Sequence, residues 1–192
     1  MLRRLYDWTL SFADTRYALA ALAVVAFVES SVFPIPPDVL LIPMVLAARN
    51  RAWFFATVCT VFSVAGGCLG YYIGAELFEQ VGQPVLDFYH KGEHFAAFSE
   101  RFNAYGPWVV LFAGVTPFPY KVITITSGAT GLDFWVFLTA STVARALRFF
   151  LVAGLLWYFG PVIRTFIDRY FGWVATAAII LLFGGFYAVK YL

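Results

Sequence analysis

E-S-S-V-F-P-I-P-P-D (29–38) decides the fold. It stands between two short apolar runs, residues 17–28 and 39–48, and it carries Pro34, Pro36 and Pro37. Proline removes a backbone donor and pushes the residue before it out of the helical region, so no helix passes through this stretch. Runs of 9 to 15 residues reach only ~14–22 Å as helix, short of the ~30 Å hydrocarbon core of a bilayer. The stretch therefore reads as the turn of a helical hairpin that enters a membrane, breaks near mid-depth and leaves on the same side. Broken backbone at that depth is tolerated only where protein or a wet cavity receives it. A pair of ordinary kinked spans is the competing reading.

Composition places the hairpin in a membrane. Of 192 residues, 62% are hydrophobic and 20% aromatic, and only 13 Lys/Arg and 11 Asp/Glu are present. A soluble domain is about 45–50% apolar and about 25% charged. A water-soluble globule is excluded, and so is disorder. The net charge of +2, without a basic cluster, gives no reason to expect nucleic acid. Cys59 and Cys68, without a neighbouring His or carboxylate, read as small packing residues.

A second break, P-F-P-Y-K (117–121), carries Pro117 and Pro119 between apolar runs 102–116 and 122–130. The two regions look like copies. P-I-P-P-D-V (34–39) leads to Y-Y-I-G (71–74), and P-F-P-Y-K-V (117–122) leads to W-Y-F-G (157–160). Each unit is a broken hairpin, a short loop and a long apolar run, 52–75 or 134–160; a third long run covers 172–189. The expected fold is an all-α integral membrane protein. It has two inverted repeats, each a Pro-broken re-entrant helical hairpin followed by a transmembrane helix, and a C-terminal transmembrane helix. Residues 1–16 read as an interfacial amphipathic helix, 17–78 as repeat 1, and 79–101 as an extramembrane segment with a Gly/Pro turn at 82–84. Residues 102–160 read as repeat 2, and 161–192 as a loop and the last span.

With a cytoplasmic N-terminus, seven Lys/Arg fall on the cytoplasmic side and three on the other. That bias follows the positive-inside rule and points the two hairpins at each other from opposite faces. Paired broken elements in two halves point to a transport site.

Five charges are flanked on both sides by membrane sequence: Glu29, Asp38, Lys121, Arg145 and Arg148. At roughly 2.5–3.5 kcal/mol each on insertion scales, five unpaired charges would cost over ~12 kcal/mol. They must pair, reach water or hold a ligand. Arg145 and Arg148 share a helical face with Ser141, and the repeat superposes Asp38 on Lys121. Helix N-termini restarting near Asp38 and Lys121, with three cations, would cradle a phosphate or carboxylate. The two carboxylates are candidates for protonation coupled to movement. A static ion-pair cluster that fixes the fold is the alternative.

Gly66, Gly70 and Gly74 recur every four residues, a stripe for close packing against a neighbouring helix or, alternatively, a homodimer seam. His90 and His94 lack a third ligand in sequence, so no metal and no other cofactor is expected. Trp and Tyr near the ends of the long runs read as interfacial anchors.

E-S-S-V-F-P-I-P-P-D-V (29–39), G-G-C-L-G-Y-Y-I-G (66–74) and F-A-G-V-T-P-F-P-Y-K-V (112–122) resemble the DedA superfamily, also called the SNARE-associated or VTT-domain family. P-Y-K-V and A-R-A-L-R-F (144–149) are closer to its YqaA-like branch. The resemblance spans roughly residues 20–160. It implies opposed re-entrant hairpins and movement of lipids between leaflets. In bacterial members that means undecaprenyl phosphate or phosphatidylethanolamine, often with the proton gradient; eukaryotic relatives resemble scramblases. Family acidic residues match Glu29 and Asp38. Better-known bacterial members carry arginines on both sides of the second-hairpin proline; here Gly114 precedes Pro117 and Lys121 follows it, and Arg145 and Arg148 are candidates for the missing arginine.

The expectation is a lipid translocase, flippase- or scramblase-like. It would pass the phosphate-bearing headgroup of a phospholipid or polyprenyl phosphate across the charged junction, with protons as a coupling ion, in a bacterial inner membrane. A proton- or cation-coupled transporter of a small solute is the alternative. An enzyme is not expected, because no nucleophile–base pair is visible.

Overall fold

The computed structural model describes residues 17–32, 36–88, 92–116 and 118–160, and all facts below concern these. The expected interfacial helix 1–16, the C-terminal span within 161–192, Pro34, Pro117, His90 and the side chain of His94 lie outside them. Among the described residues the structure is helical apart from short turns and breaks, without strands.

Helix α1 (Ala18–Ser31) is apolar up to Glu29 and leaves helical geometry at Val32 (φ −131°, ψ −44°). Phe33-Pro34 follows in sequence, and a residue before proline disfavours the α region. Glu29 therefore lies in the last turn of α1, whereas the sequence placed it at the edge of the break. Helix α2 (Asp38–Ala47) restarts from Pro37, whose φ of −64° is already helical, and Asp38 in its first turn complements the helix dipole. A 3-10 turn, Arg49–Arg51, leads into α3 (Ala52–Leu77), 26 residues long.

Helix α3 then loosens into a π-helical turn, Phe78–Gly82, followed by α4 (Gln83–Phe88) and α5 (Gly92–Ala104). The Gly/Pro turn expected at 82–84 is thus a continuous helical joint, in which the π-helical turn runs straight into α4 with Pro84 as its second residue. Helix α6 (Gly106–Val115) begins at Gly106, not at 102, and Pro107 occupies its first turn. Helix α7 (Tyr120–Ala129) restarts after Pro119, which is extended at ψ 98°. A turn with Gly131 at φ 67° leads to α8, Phe134–Gly160. Asp133 Oδ1 accepts the Val136 N–H at 2.9 Å, the bond of an N-cap.

Helices α3 and α8 belong to the two stretches long and apolar enough to cross a bilayer, Arg49–Gln80 and Phe134–Gly160. They run antiparallel: Trp53 meets Phe150 and Trp157, while Tyr71 meets Phe134 and Phe137. At one end α1 and α2 pack into a core with the start of α3 and the end of α8, through Leu22, Leu41, Val45, Phe55 and Phe149. At the other end α6 and α7 pack with the start of α8 through Val110, Ala113, Ile123 and Phe137, with Tyr71 of α3 against them. The α1/α2 core and the α6/α7 core thus lie at opposite ends of the α3/α8 pair.

Candidate functional site

Two ion pairs fill the space between the two apolar cores. Arg145 Nη2 lies 2.6 Å from Glu29 Oε2, and Arg148 Nη2 lies 2.7 Å from Asp38 Oδ2. Both arginines stand on α8 one turn apart, while the acids bracket the first break. One helix face thus reaches both arms of hairpin 1.

The Arg145 pair is sealed. Side-chain exposure is 1% for Arg145 and 14% for Glu29. Arg145 Nε donates to Ser63 Oγ at 2.6 Å, Ser63 and Ser30 share a hydroxyl bond of 2.6 Å, and Ser30 Oγ donates to Glu29 Oε2 at 3.0 Å. These bonds close a ring through α1, α3 and α8. The guanidinium carbon lies 4.6 Å from the Tyr120 ring centroid and 4.7 Å from that of Phe149, at cation–π distance from both. Nη1 has no hydrogen-bond partner among the described residues.

The Arg148 pair is more open, 18% and 20% exposed. Its Nη1 donates to the Thr116 carbonyl at 2.7 Å, at the C-cap of α6. Asp38 Oδ1 is buried without a hydrogen-bond partner among the described residues. Lys121 Nζ donates to the Val32 carbonyl at 3.1 Å, at the C-cap of α1. Thr124 Oγ1 adds a 3.0 Å bond to the Ser30 carbonyl. The end of α1 is thereby tied to the start of α7, and the end of α6 to the start of α2.

Glu29, Asp38, Lys121, Arg145 and Arg148 are thus gathered into one junction. Of the three cations, Lys121 and Arg148 hold the carbonyls that end α1 and α6, where a positive charge complements the dipole, and Arg145 bonds only to side chains. Pro36, Pro37 and Pro119 lead into α2 and α7. The sequence reading did not single out Ser30, Ser63 or Tyr120 as site residues. A hydroxyl facing the charges from within a charge-free run was the available signal for Ser63.

The glycine stripe is where α3 is crossed. A Cβ at Gly66 would overlap the Phe27 carbonyl of α1, and one at Gly74 the Ile125 carbonyl of α7. A Cβ at Gly70 would meet the Thr124 side chain and the Ser30 carbonyl. Both hairpins can approach the middle of α3 because these positions carry no side chain. Among the described residues no group of His, Cys, Asp and Glu is arranged to hold a metal.

Two helices long and apolar enough to cross a bilayer, with a buried ionic centre between them and two helix breaks, fit a membrane-associated protein. Residues 35–158 match the VTT domain, and the chain belongs to the VTT-domain family of membrane-associated proteins, the DedA superfamily. An uncharacterized protein of Haemophilus influenzae is 38% identical over 79% of this chain and 78% of its own length. An uncharacterized homolog from Histophilus somni is 34% identical over the same shares. No solved structure matches the chain.

Proposed function

We propose that the protein is a lipid translocase, and not an enzyme, that moves a phosphate-bearing headgroup between leaflets through the junction of two re-entrant hairpins. The observation that carries this reading is the position of Arg145 and Arg148. They lie at mid-height on α8 and hold the ends of both hairpins through Glu29, Asp38 and the Thr116 carbonyl. The five junction charges sum to +1, a balance that favours an anionic guest over a cationic one. A hydrophobic junction would serve stability as well or better, which argues that the charges are kept for a ligand.

The antiparallel run of α3 and α8, and the two hairpin cores at opposite ends of that pair, support inverted repeats with tips that meet at mid-depth. P-Y-K-V (119–122) and A-R-A-L-R-F (144–149) favour the YqaA-like branch. The charge bias favours a cytoplasmic N-terminus in a bacterial inner membrane. Glu29 and Asp38 are the groups through which protons would couple to movement.

Proteoliposomes carrying a headgroup-labelled phospholipid, or a labelled polyprenyl phosphate, test the function. Wild type is expected to raise the transbilayer rate at least tenfold over empty vesicles, and Glu29→Gln or Arg145→Ala to remove most of that gain. Equal rates with and without protein across anionic and zwitterionic lipids would sink the reading. Solute uptake with a matching pH change, without lipid movement, would favour the small-solute transporter instead. Cysteine labelling from each side across 29–38 and 117–121 tests the re-entrant topology.

A further inference from the structure

We propose that Arg148 is the residue that meets the phosphate, that the Asp38 carboxylate is the internal anion it displaces, and that Arg145 stays paired throughout. This deepens the translocase reading and rests on it for the identity of the guest.

The two ion pairs differ in what holds them. Arg145 is packed between two rings, bonded through Nε and Nη2, and closed off from solvent, and its acid is also held by Ser30. Parting it would strand a charge in an apolar core. Arg148 and Asp38 are each about one-fifth exposed, and one carboxylate oxygen is buried without a partner among the described residues. A phosphodiester spreads the same single charge over two non-bridging oxygens and so can take the carboxylate's place on the guanidinium, and a phosphate monoester or the free ion adds a third oxygen. Arg148 also holds the Thr116 carbonyl. An anion that draws Arg148 away therefore frees the start of α2 and the end of α6 together, and one displacement loosens both hairpin tips. The source of the phosphate, a lipid headgroup or the free ion, is left to the experiment.

Full-length protein with Cys59→Ala, Cys68→Ala and Thr116→Cys, in phosphate-free maltoside micelles, reports the clasp through its reaction rate with a water-soluble maleimide. A short-chain phosphatidylglycerol is expected to raise that rate at least fivefold. An equal rise with millimolar inorganic phosphate would assign the site to the free anion. Arg148→Gln is expected to react at the raised rate without ligand and to respond to neither. The decisive variant is Asp38→Asn, which weakens the internal competitor without stranding a buried cation. It is expected to lower the half-effect ligand concentration about fivefold. A higher half-effect concentration in Asp38→Asn would make Asp38 part of the ligand site and overturn the proposal, as would no rise with either ligand in the parent. Lipid movement in vesicles without a labelling response leaves the translocase standing and removes the clasp. A labelling response without lipid movement does the reverse.

Discussion

In the first hairpin the helix restarts after the break on an acid, Asp38; in the second it restarts on Tyr120, and a base, Lys121, follows in the first turn. Both face the same task, since the first arm of the opposite hairpin ends beside each with carbonyls that need donors. Lys121 supplies a donor directly, to the Val32 carbonyl. A carboxylate has no proton to give, so Arg148 stands between Asp38 and the Thr116 carbonyl and bonds to both. In the repeat proposed above, the sign change between these two positions is bridged by the second arginine of α8. It also makes the two tips unequal, one tied by direct bonds from Lys121 and Thr124 and the other by a relay that an anion can enter.

The sharpest break in the comparison concerns the sealed pair, which hairpin 2 does not duplicate among the described residues. Arg145→Met leaves Glu29 charged and unpaired, and the loss should be about 3–5 kcal/mol. The double variant Glu29→Gln, Arg145→Met should recover most of it, read as the unfolding midpoint in detergent. Recovery of stability without recovery of lipid movement would separate what the pair does for the fold from what it does for transport.

Next in size, Gly66→Ala and Gly74→Ala test whether α3 is an equal spine for both hairpins. Each places a Cβ against backbone, of α1 in one case and α7 in the other. Each should cost about 1–3 kcal/mol in overpacking. Unequal losses would show that one hairpin can retreat from α3 and the other cannot.

The relay itself is tested by changing the sign back. Asp38→Lys alone places a second cation beside Arg148 and should destabilise by about 1–2 kcal/mol. Adding Arg148→Met lets a lysine at 38 donate to Thr116 as Lys121 does to Val32, and the midpoint should return to within about 0.5 kcal/mol of the parent. If the double variant is worse than either single, the two restart positions are not equivalent.

The breaks and the five charges were legible in the sequence because each rests on a local cost: proline's missing donor, and the price of a charge among apolar residues. The partners were not. Nothing near Arg145 in the chain points to Ser63 or Glu29, since that ring closes only when α1, α3 and α8 are packed. Charge counting also gave no sign that packing would bring the C-terminal carbonyls of α1 and α6 to Lys121 and Arg148. The π-helical turn at Phe78–Gly82 and the start of α6 at Gly106, with Pro107 in its first turn, also escaped.

The smallest effects lie at the outer joints, where the two halves answer each other most evenly. The turn after hairpin 2 is held by Tyr71 OH, which donates to the Leu132 carbonyl at 2.5 Å. The turn after hairpin 1 is held by Arg49, which donates to the Trp157 carbonyl. Tyr71 and Trp157 open the matching Y-Y-I-G and W-Y-F-G motifs, so the end of each long helix fastens the turn of the other unit. Tyr71→Phe removes one hydrogen bond and keeps the ring, and should cost about 0.5–1.5 kcal/mol. Its local mark is faster amide exchange over residues 130–136 with 46–51 unchanged, and Arg49→Met should give the mirror result. The joints lie at opposite ends of α3 and α8, with the sealed ion pair between them, so neither variant should be felt at the other end. Exchange that rises at both ends in either variant would mean that the hairpins open as one unit, and the inequality of their tips would then have no independent motion to act on.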